Sequence, residues 1–281
     1  MKTKIYHLSL KSDSPTSGYW DFAILDLLDY EHENVSVLPR KNRAIVTIPA
    51  RYHAGLEQKL NKELAKIKHV ILFLMGDEEA EFNVEVINHP SIHIWVQNAH
   101  PDKHDKYNRI GTGYPPQVKL LSQMNLNKTR ELMFSGQITH ERRRQMVEGL
   151  NNYHGNAFLH YSRGFTQGLQ PKDYYNYMIS AKIAPAPSGA VVPDSFRLFE
   201  ALEAMCVPIA DEVNPSGTIN EYWDWLLGMN PIPKITNWLN VDGTIKELLK
   251  DYPRNLHQIT CWWIKWKRDF KLKIIKQLND E

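Results

Sequence analysis

The chain has 281 residues, of which 42% are hydrophobic and 23% are charged, a balance that is ordinary for a folded soluble protein. Its formal net charge of +2 neither requires nor excludes a polyanionic partner. The two cysteines, Cys206 and Cys261, exclude a disulfide framework and suit a reducing compartment. The first ten residues are too few and too polar for a signal peptide, and no window of about eighteen apolar residues predicts a transmembrane helix.

The first part of the chain alternates strand-like and helix-like segments. Strands are predicted over residues 4–10, 43–48, 69–75 and 91–97, and helices over residues 21–28 and 56–67. The segment 69–75, HVILFLM, is almost wholly apolar, which is typical of a parallel strand buried on both faces. This alternation favours a parallel sheet with helices on both sides.

The alternation begins again after a loop-rich stretch at residues 98–117. Strands are predicted over residues 131–134, 157–161, 181–186 and 207–210, and helices over residues 141–151, 171–180 and 194–205. The sequence therefore predicts an α/β protein with two Rossmann-like domains facing a cleft, residues 1–125 and 126–255. Open parallel sheets bind ligands beyond the carboxyl ends of their strands, so we expect the site in that cleft.

The last segment, residues 256–281, is aromatic and basic. We interpret it as a C-terminal helix that packs across both domains. The alternative interpretation is a helix that lies on a membrane surface, with its cations facing anionic lipid. Those cations are Lys265, Lys267, Arg268, Lys271 and Lys273.

The most informative segment is residues 185–212, in which a predicted strand ends in a loop that leads into a helix. Asp194 or Ser195 can cap that helix. The free backbone amides and the dipole at such a helix start suit a phosphate group. In the loop before it, Ser188 offers a hydroxyl and Gly189 allows a close backbone approach.

Two charged residues share one face of this predicted helix. Arg197 and Glu200 are three positions apart, so their side chains lie on the same side. A guanidinium near an anion-binding helix start can pair with a diphosphate, and a carboxylate one turn further on can accept hydrogen bonds from a ribose diol. The alternative is an ordinary Arg–Glu pair on the surface of an amphipathic helix.

Several motifs in this half resemble those of exostosin-type glycosyltransferases, which show the pattern YY…S.F.L.P.G…DS.RL.EA…GC.PV. Met205 and Ala184 stand where the family has glycine and leucine. Upstream, Phe134-Ser135-Gly136 and the arginines at 142–144 are similar to the family's FRG…R segment, with Ser135 in place of its first arginine. The resemblance covers about residues 130–252, and its motifs are Tyr174-Tyr175, Ser180-Ala181-Lys182, Pro187-Ser188-Gly189, the run from Asp194 to Ala201, and Cys206-Val207-Pro208-Ile209.

The resemblance implies a GT-B fold, a nucleotide-sugar donor in the C-terminal domain and inversion at the anomeric carbon. By the same match, Arg197 neutralises the diphosphate, Glu200 holds the ribose and Arg144 assists. No cofactor is implied beyond the nucleotide-sugar substrate. Because the chain has no membrane anchor, we expect a cytoplasmic protein of bacterial or viral type. The predicted donor-binding residues are Gly136, Arg144, Ser188, Gly189, Asp194, Ser195, Arg197 and Glu200.

Inverting transfer also needs a base that takes the proton of the acceptor hydroxyl. We expect it at the carboxyl end of a strand in the N-terminal domain, where Asp77 and Glu78 follow segment 69–75 and Asp21 follows the first strand. The alternative is that these carboxylates belong to an exposed acidic turn or a helix start. The sequence has no Asp-x-Asp motif and no His/Cys cluster with metal-ligand spacing, so we expect a metal-independent enzyme.

The acceptor is open at this stage. A glycan or a lipid-linked sugar fits the small net charge. A hydroxylated base in viral (phage) DNA is the alternative, with basic residues at 142–144 and 265–273 following the phosphate backbone. A non-catalytic module that only binds sugar nucleotides is a second alternative. An unrelated two-domain Rossmann enzyme is a third, although no Gly-x-Gly-x-x-Gly or Walker-type loop is present.

Overall fold

The computed structural model describes residues 4–11, 24–115, 118, 128–162, 164, 167–218 and 221–279. The chain divides into unit 1, Met1–Thr112 with Trp266–Glu281, and unit 2, Gly113–Lys265. The division falls ahead of the predicted boundary at residues 125 and 126. The predicted tail segment, residues 256–281, is divided between the two units at residues 265 and 266.

Unit 1 contains a parallel sheet whose described strands are ordered β2-β1-β3-β4-β5-β6. The long strands β3 and β4 are buried along most of their length, as their apolar sequences predict. The strands are β1 (Lys4–Leu8), β2 (Glu31–Val35), β3 (Lys41–Pro49), β4 (Ile67–Met75), β5 (Ile92–Gln97) and β6 (Asn108–Ile110), and the helices are α1 (Ala50–His53), α2 (Glu57–Leu64) and α3 (Pro101–His104).

Two strands of unit 1 were not predicted from the sequence, and both lie at an edge of the described sheet. Strand β2 has the polar sequence EHENV and is largely exposed, and β6 is only three residues long. Edge strands are commonly short or charged, so they lack the apolar pattern that marks a central strand. The predicted helix at residues 21–28 is also wrong in type, because its described part is the 3-10 turn Leu25–Leu28.

Unit 2 contains a second parallel sheet, ordered β11-β10-β9-β7-β8. The predicted helices at 141–151 and 171–180 and the strand at 181–186 are confirmed. The elements are β7 (Arg130–Gln137), α4 (Glu141–Asn151), β8 (Ala157–Ser162), α5 (Pro171–Ser180), β9 (Ala181–Ala186), α6 (Phe196–Glu203), β10 (Val207–Asp211), α7 (Tyr222–Leu227), β11 (Lys234–Ile235) and α8 (Val241–Lys250).

The tail forms one long helix, α9 (Tyr252–Asn279). In unit 2, Trp263 is buried and its indole N–H donates to Glu203 Oε1 at 2.7 Å. In unit 1, Phe270 and Ile274 belong to the core cluster around Phe73 and Trp95. The helix is therefore held by side-chain packing in each unit. Over the described residues, no helix combines the length and the apolarity needed to cross a bilayer.

Candidate donor site and carboxyl ends of the strands

The order of strands in unit 2 reverses direction next to β7. From β7 the chain moves outward to β8, and it then returns to place β9 on the other side of β7. Such a reversal leaves a crevice at the carboxyl ends of the two flanking strands, which is where open parallel sheets bind ligands. In this unit the crevice lies beyond Gln137 and Ala186, the last residues of β7 and β9.

The side chain of Arg197 lies against the carboxyl end of β7. Its Nε donates to the carbonyl oxygen of Ser135 at 3.1 Å, and its guanidinium stands 5.3 Å from the ring centre of Phe134. A Cβ atom on Gly136 would lie 1.9 Å from Arg197 Nη2, so the guanidinium occupies the space that this glycine leaves. The structure therefore brings together two predicted donor residues, Gly136 and Arg197.

Glu200 lies one turn further along α6 and is buried. The hydroxyl of Tyr174 donates to its Oε2 at 2.5 Å. Burial raises the pKa of Glu200, while the Tyr174 hydrogen bond and the positive charge of Arg197 act in the opposite direction. Burial also raises the pKa of Tyr174, which therefore stays a neutral donor. Arg197, Glu200 and Tyr174 form one cluster, which we call the α6 cluster.

The loop after β9 is held in place by hydrogen bonds between Ser188 and other parts of unit 2. The carbonyl oxygen of Ser188 accepts from Arg143 Nε at 3.1 Å and Nη2 at 3.0 Å, and from His140 Nε2 at 3.2 Å. The Ser188 hydroxyl donates to the carbonyl oxygen of Val213 at 2.5 Å, so it is already engaged within the protein. A Cβ atom on Gly189 would lie 2.1 Å from the carbonyl oxygen of Asp194, so this glycine serves a tight turn.

The start of α6 differs in detail from the prediction. The helix begins at Phe196, and Ser195 occupies the N-cap position without a side-chain capping bond. Asp194 and Ser195 are both buried, at 3% and 6% exposure. The Ser195 hydroxyl has no hydrogen-bond partner among the described residues. The backbone amides at the helix start are therefore enclosed, whereas the guanidinium of Arg197 is half-exposed. Arg197 is thus more accessible to a phosphate than those amides are.

A buried carboxylate that the sequence did not single out, Asp211, organises this edge of the sheet. It accepts from Arg142 Nε at 3.2 Å and Nη2 at 2.5 Å, and from Trp238 Nε1 at 2.8 Å. The backbone N–H groups of Ser188 and Val213 donate to the same carboxylate. The signal available in the sequence was an aspartate at the end of a predicted strand, together with the Arg142–Arg144 run.

The three arginines of α4 have different partners. Arg142 and Arg143 are buried and reach Asp211 and Ser188, whereas Arg144 is exposed and pairs with Glu141 on its own helix at 2.9 Å. Successive helical residues point about 100° apart, so only part of the run can face the sheet. The geometry favours Arg143 over Arg144 at the loop, and donor contact by Arg144 stays a prediction.

The base candidates belong to unit 1. Asp77 follows β4 and is buried; its two oxygens accept from the backbone N–H groups of Glu81 at 3.0 Å and Phe82 at 2.9 Å, so the carboxylate closes a turn. Glu78 is half-buried, and its carbonyl oxygen accepts from His100 Nε2 at 2.6 Å. Asp21 lies outside the described residues. The choice of base therefore stays a prediction.

Unit 1 has its own reversal of strand order, between β1 and β3. His53 connects the carboxyl ends of these strands, because its Nε2 accepts from the Leu10 backbone N–H at 2.8 Å and its Nδ1 donates to the Pro49 carbonyl oxygen at 2.9 Å. Burial lowers the pKa of His53, so its imidazole is neutral. The sequence contained no signal for this histidine.

Two solved structures of HepE from Anabaena are similar to this chain. The structure in complex with UDP and glucose has a TM-score of 0.50 and 11% identity, and the alignment covers 98% of this chain and 99% of that chain. The structure in complex with UDP-glucose has a TM-score of 0.47 and 12% identity, and covers 98% of each chain. The chain has a GT-B fold.

The predicted α/β, GT-B-like fold class is thus confirmed. The sequence matches no protein-family model and no curated protein. The exostosin-type resemblance therefore stays an interpretation of the sequence motifs. Within the part of the chain that the structure describes, no three His, Cys, Asp or Glu side chains are placed to hold a metal ion, and metal independence stays a prediction.

Proposed function

We propose that this GT-B protein is a glycosyltransferase that transfers a sugar from a nucleotide-sugar donor to an acceptor hydroxyl, with inversion and without a metal ion. The observation that carries the proposal is the α6 cluster, where a guanidinium and a carboxylate stand together beside the strand reversal of unit 2. Buried or half-buried charges in such a crevice are typical of functional sites. UDP and UDP-glucose are the first ligands to test, because the HepE structures contain them.

In this mechanism the acceptor oxygen attacks the anomeric carbon as the bond from that carbon to the diphosphate breaks. The released electron pair stays on the diphosphate, and Arg197 stabilises its charge through charge-assisted hydrogen bonds. Glu200 accepts hydrogen bonds from the two ribose hydroxyls. To do so, its carboxylate gives up the hydrogen bond that it accepts from the Tyr174 hydroxyl. The acceptor proton goes to a carboxylate, for which Asp77, Glu78 and Asp21 are the candidates.

We propose a glycan or a lipid-linked sugar as the acceptor. The DNA alternative relied partly on the basic run at residues 142–144, but Arg142 and Arg143 are buried and bound to Asp211 and Ser188. Only Arg144 of that run is exposed. A DNA acceptor would make binding fall steeply with salt, whereas a neutral glycan would not.

Contact with a membrane through α9 and a cytoplasmic location are also parts of the proposal. The helix exposes Ile264 and Leu272, at 60% and 56%, beside the cations of the tail. That pattern suits the surface of an anionic membrane. The exposed free thiol of Cys261 suits a reducing cytosol.

The test is a thermal-shift titration with UDP and UDP-glucose. A ligand at 100 times its Kd stabilises the protein by about 2.7 kcal/mol. Arg197→Ala removes charge-assisted bonds that contribute about 1.5–3 kcal/mol, so we expect Kd to rise roughly 10- to 150-fold. Arg197→Lys keeps the charge and loses the planar fork, and should retain part of the binding.

The matched control is Arg254→Ala, which removes an exposed arginine from the same unit with no predicted role at the donor site and should leave Kd unchanged. An Arg197→Ala protein that binds UDP as tightly as the native chain would overturn the donor site. A native protein that binds UDP-glucose but neither transfers nor hydrolyses it would instead support the non-catalytic binding module.

A further inference from the structure

A concave surface lined mainly by cations lies at the amino ends of the unit 1 strands, away from the carboxyl ends described above. It lies at the amino ends of β3 and β4, because Lys41 begins β3 and Lys68 is the second residue of β4. The concavity has a volume of about 730 Å³. Its lining cations, which we call the amino-edge cations, are Arg40, Lys41, Lys62, Lys66 and Lys68.

Two of the amino-edge cations, Lys62 and Lys68, have no counter-charge within the described chain. Asn42 and Ala65 complete the described lining, which contains no carboxylate. Lys66 pairs with Glu63 beside the cavity at 2.7 Å, whereas Lys62 and Lys68 are exposed and form no ion pair with any residue of the described chain. Several like charges that line one concavity repel one another, so an anion from outside the protein would be attracted to it.

A second cavity also has lysines in its lining, but these lysines have ion-pair partners. It lies in unit 2, measures about 430 Å³ and has Lys246 and Lys250 in its lining. There the lysines pair with carboxylates of their own helix, Asp242 at 2.7 Å and Glu247 at 2.8 Å, and Glu131 is a lining residue. In the unit 2 cavity both lysines therefore have ion-pair partners, whereas Lys62 and Lys68 at the first cavity have none within the described chain.

We propose that the amino-edge cations bind a small, multiply charged phosphate ligand, either free or as the headgroup of an anionic lipid. Arginine and lysine are the usual partners of phosphate, and the volume is that of a small-molecule site. Among the described lining residues there is no aromatic ring on which a nucleic-acid base could stack, which favours a small ligand over a nucleic acid.

The site is separate from the carboxyl ends of the same strands. Strand β3 has nine residues, and at about 3.3 Å per residue it places the amino-edge cations some 30 Å from the opposite end of the strand. A ligand in this cavity thus does not touch the carboxyl-end residues. The proposal goes beyond the transferase function and does not depend on it.

The lipid source has support of its own. Val37 is 60% exposed, and the next residue, Leu38, donates its backbone N–H to Glu63, the partner of Lys66. An exposed apolar side chain beside several cations is the arrangement by which peripheral proteins contact anionic lipid.

The experiment measures binding of tripolyphosphate by calorimetry at low salt, in the native chain and in Lys62→Ala/Lys68→Ala. We expect the affinity of the variant to be at least tenfold weaker. The matched control, Lys246→Ala/Lys250→Ala, loses the same charge from exposed, paired lysines and should stay within about twofold of the native chain. All four lysines lie near the surface, and circular dichroism checks that both variants fold.

A second arm separates the two sources of phosphate. Vesicles of phosphatidylcholine with phosphatidic acid are compared with vesicles of phosphatidylcholine alone in a sedimentation assay. Sedimentation with the acidic vesicles that is lost in Lys62→Ala/Lys68→Ala identifies a lipid headgroup, and tripolyphosphate binding without sedimentation identifies a free ligand.

Three results overturn the proposal. In the first, tripolyphosphate binding is equal in the native chain and Lys62→Ala/Lys68→Ala. In the second, it is lost only in Arg197→Ala, which would place the phosphate at the donor site and leave the transferase proposal intact. In the third, a DNA duplex binds more tightly than tripolyphosphate and is released by Lys62→Ala/Lys68→Ala, which would make the surface a nucleic-acid site.

Discussion

The two units share a layout of parallel strands and covering helices, and the buried ionisable groups near the carboxyl ends of their strands differ. In unit 1 these include His7 and His53, whose pKa values burial lowers, to about 3 for His7. In unit 2 they include Glu200 and Glu212, whose pKa values burial raises. Two histidines with lowered pKa values thus lie near the strand reversal of unit 1, whereas the α6 cluster of unit 2 holds a buried carboxyl and a half-exposed guanidinium. The same layout of strands therefore carries different chemistry in the two units, and we propose the donor diphosphate site only in unit 2.

The difference predicts opposite responses to pH. A buried neutral histidine stabilises the folded state above the unfolded pKa of 6.5, and this contribution is lost as the pH falls, because the unfolded chain binds the proton first. A carboxyl whose folded pKa is raised contributes stability below its unfolded value of 4.5, which is lost as the pH rises through the folded value.

The largest expected effect comes from breaking the buried pair between Arg142 and Asp211. Arg142→Ala leaves the Asp211 carboxylate buried without its cation, which should cost about 3–5 kcal/mol of unfolding free energy in unit 2. Urea unfolding measures the change. Arg144→Ala, on the same helix, removes only an exposed pair and should change little. Equal effects of the two variants would contradict the assignment of the buried arginine.

Acidification should destabilise unit 1 through its histidines. At pH 5 the loss from His7 alone is about 2 kcal/mol relative to pH 8, since its pKa falls from 6.5 to about 3 on folding. Hydrogen exchange of unit 1 peptides across urea series at the two pH values measures it. His7→Gln should flatten the dependence, and substitution of the exposed His154 should not. An unchanged slope in His7→Gln would mean that other groups control the acid response.

Gly136→Ala should disturb the proposed donor site, because Gly136 lies in β7 against Arg197. The added methyl would lie 1.9 Å from Arg197 Nη2, so the flexible guanidinium must move. We expect UDP binding to weaken about tenfold, roughly 1.4 kcal/mol, with little change in Tm. Gly168→Ala, where a methyl has open space, is the control. Native affinity in Gly136→Ala would show that the position of Arg197 is unimportant for the ligand.

Glu200→Gln should separate stability from binding. The substitution removes a carboxyl group whose charged form is disfavoured by burial. The unfolding free energy of the ligand-free protein should therefore rise by about 1 kcal/mol, a common size for a stabilising substitution. UDP-sugar binding should weaken in the same variant, because the ribose loses a charged acceptor. Urea unfolding and calorimetry measure the two effects, with the exposed Glu148→Gln as control. A variant that is both less stable and equally tight in binding would contradict the role assigned to Glu200.

Sequence patterns predicted the elements that a single segment can encode. The apolar run at 69–75 predicted the buried strand β4, and the three-residue spacing of Arg197 and Glu200 predicted their shared helix face. The edge strand β2 was missed, because a strand with one neighbour needs no apolar face. Asp211 was missed as the organiser of its edge, since its importance lies in contacts with Arg142 and Trp238, 69 and 27 positions away.

The sequence by itself determined the alternation of strands and helices and placed most of the predicted donor-site residues in one loop and the helix after it, because hydrophobic period and turn chemistry depend on near neighbours in the chain. Only the tertiary structure decided which arginine of α4 reaches the loop after β9, that Tyr174 holds Glu200, and that His53 connects two strand ends. These contacts join residues 26 to 45 positions apart, and they exist only once the strands are set in order in the sheet. The strand order follows from packing of the whole unit and is not written in any local pattern.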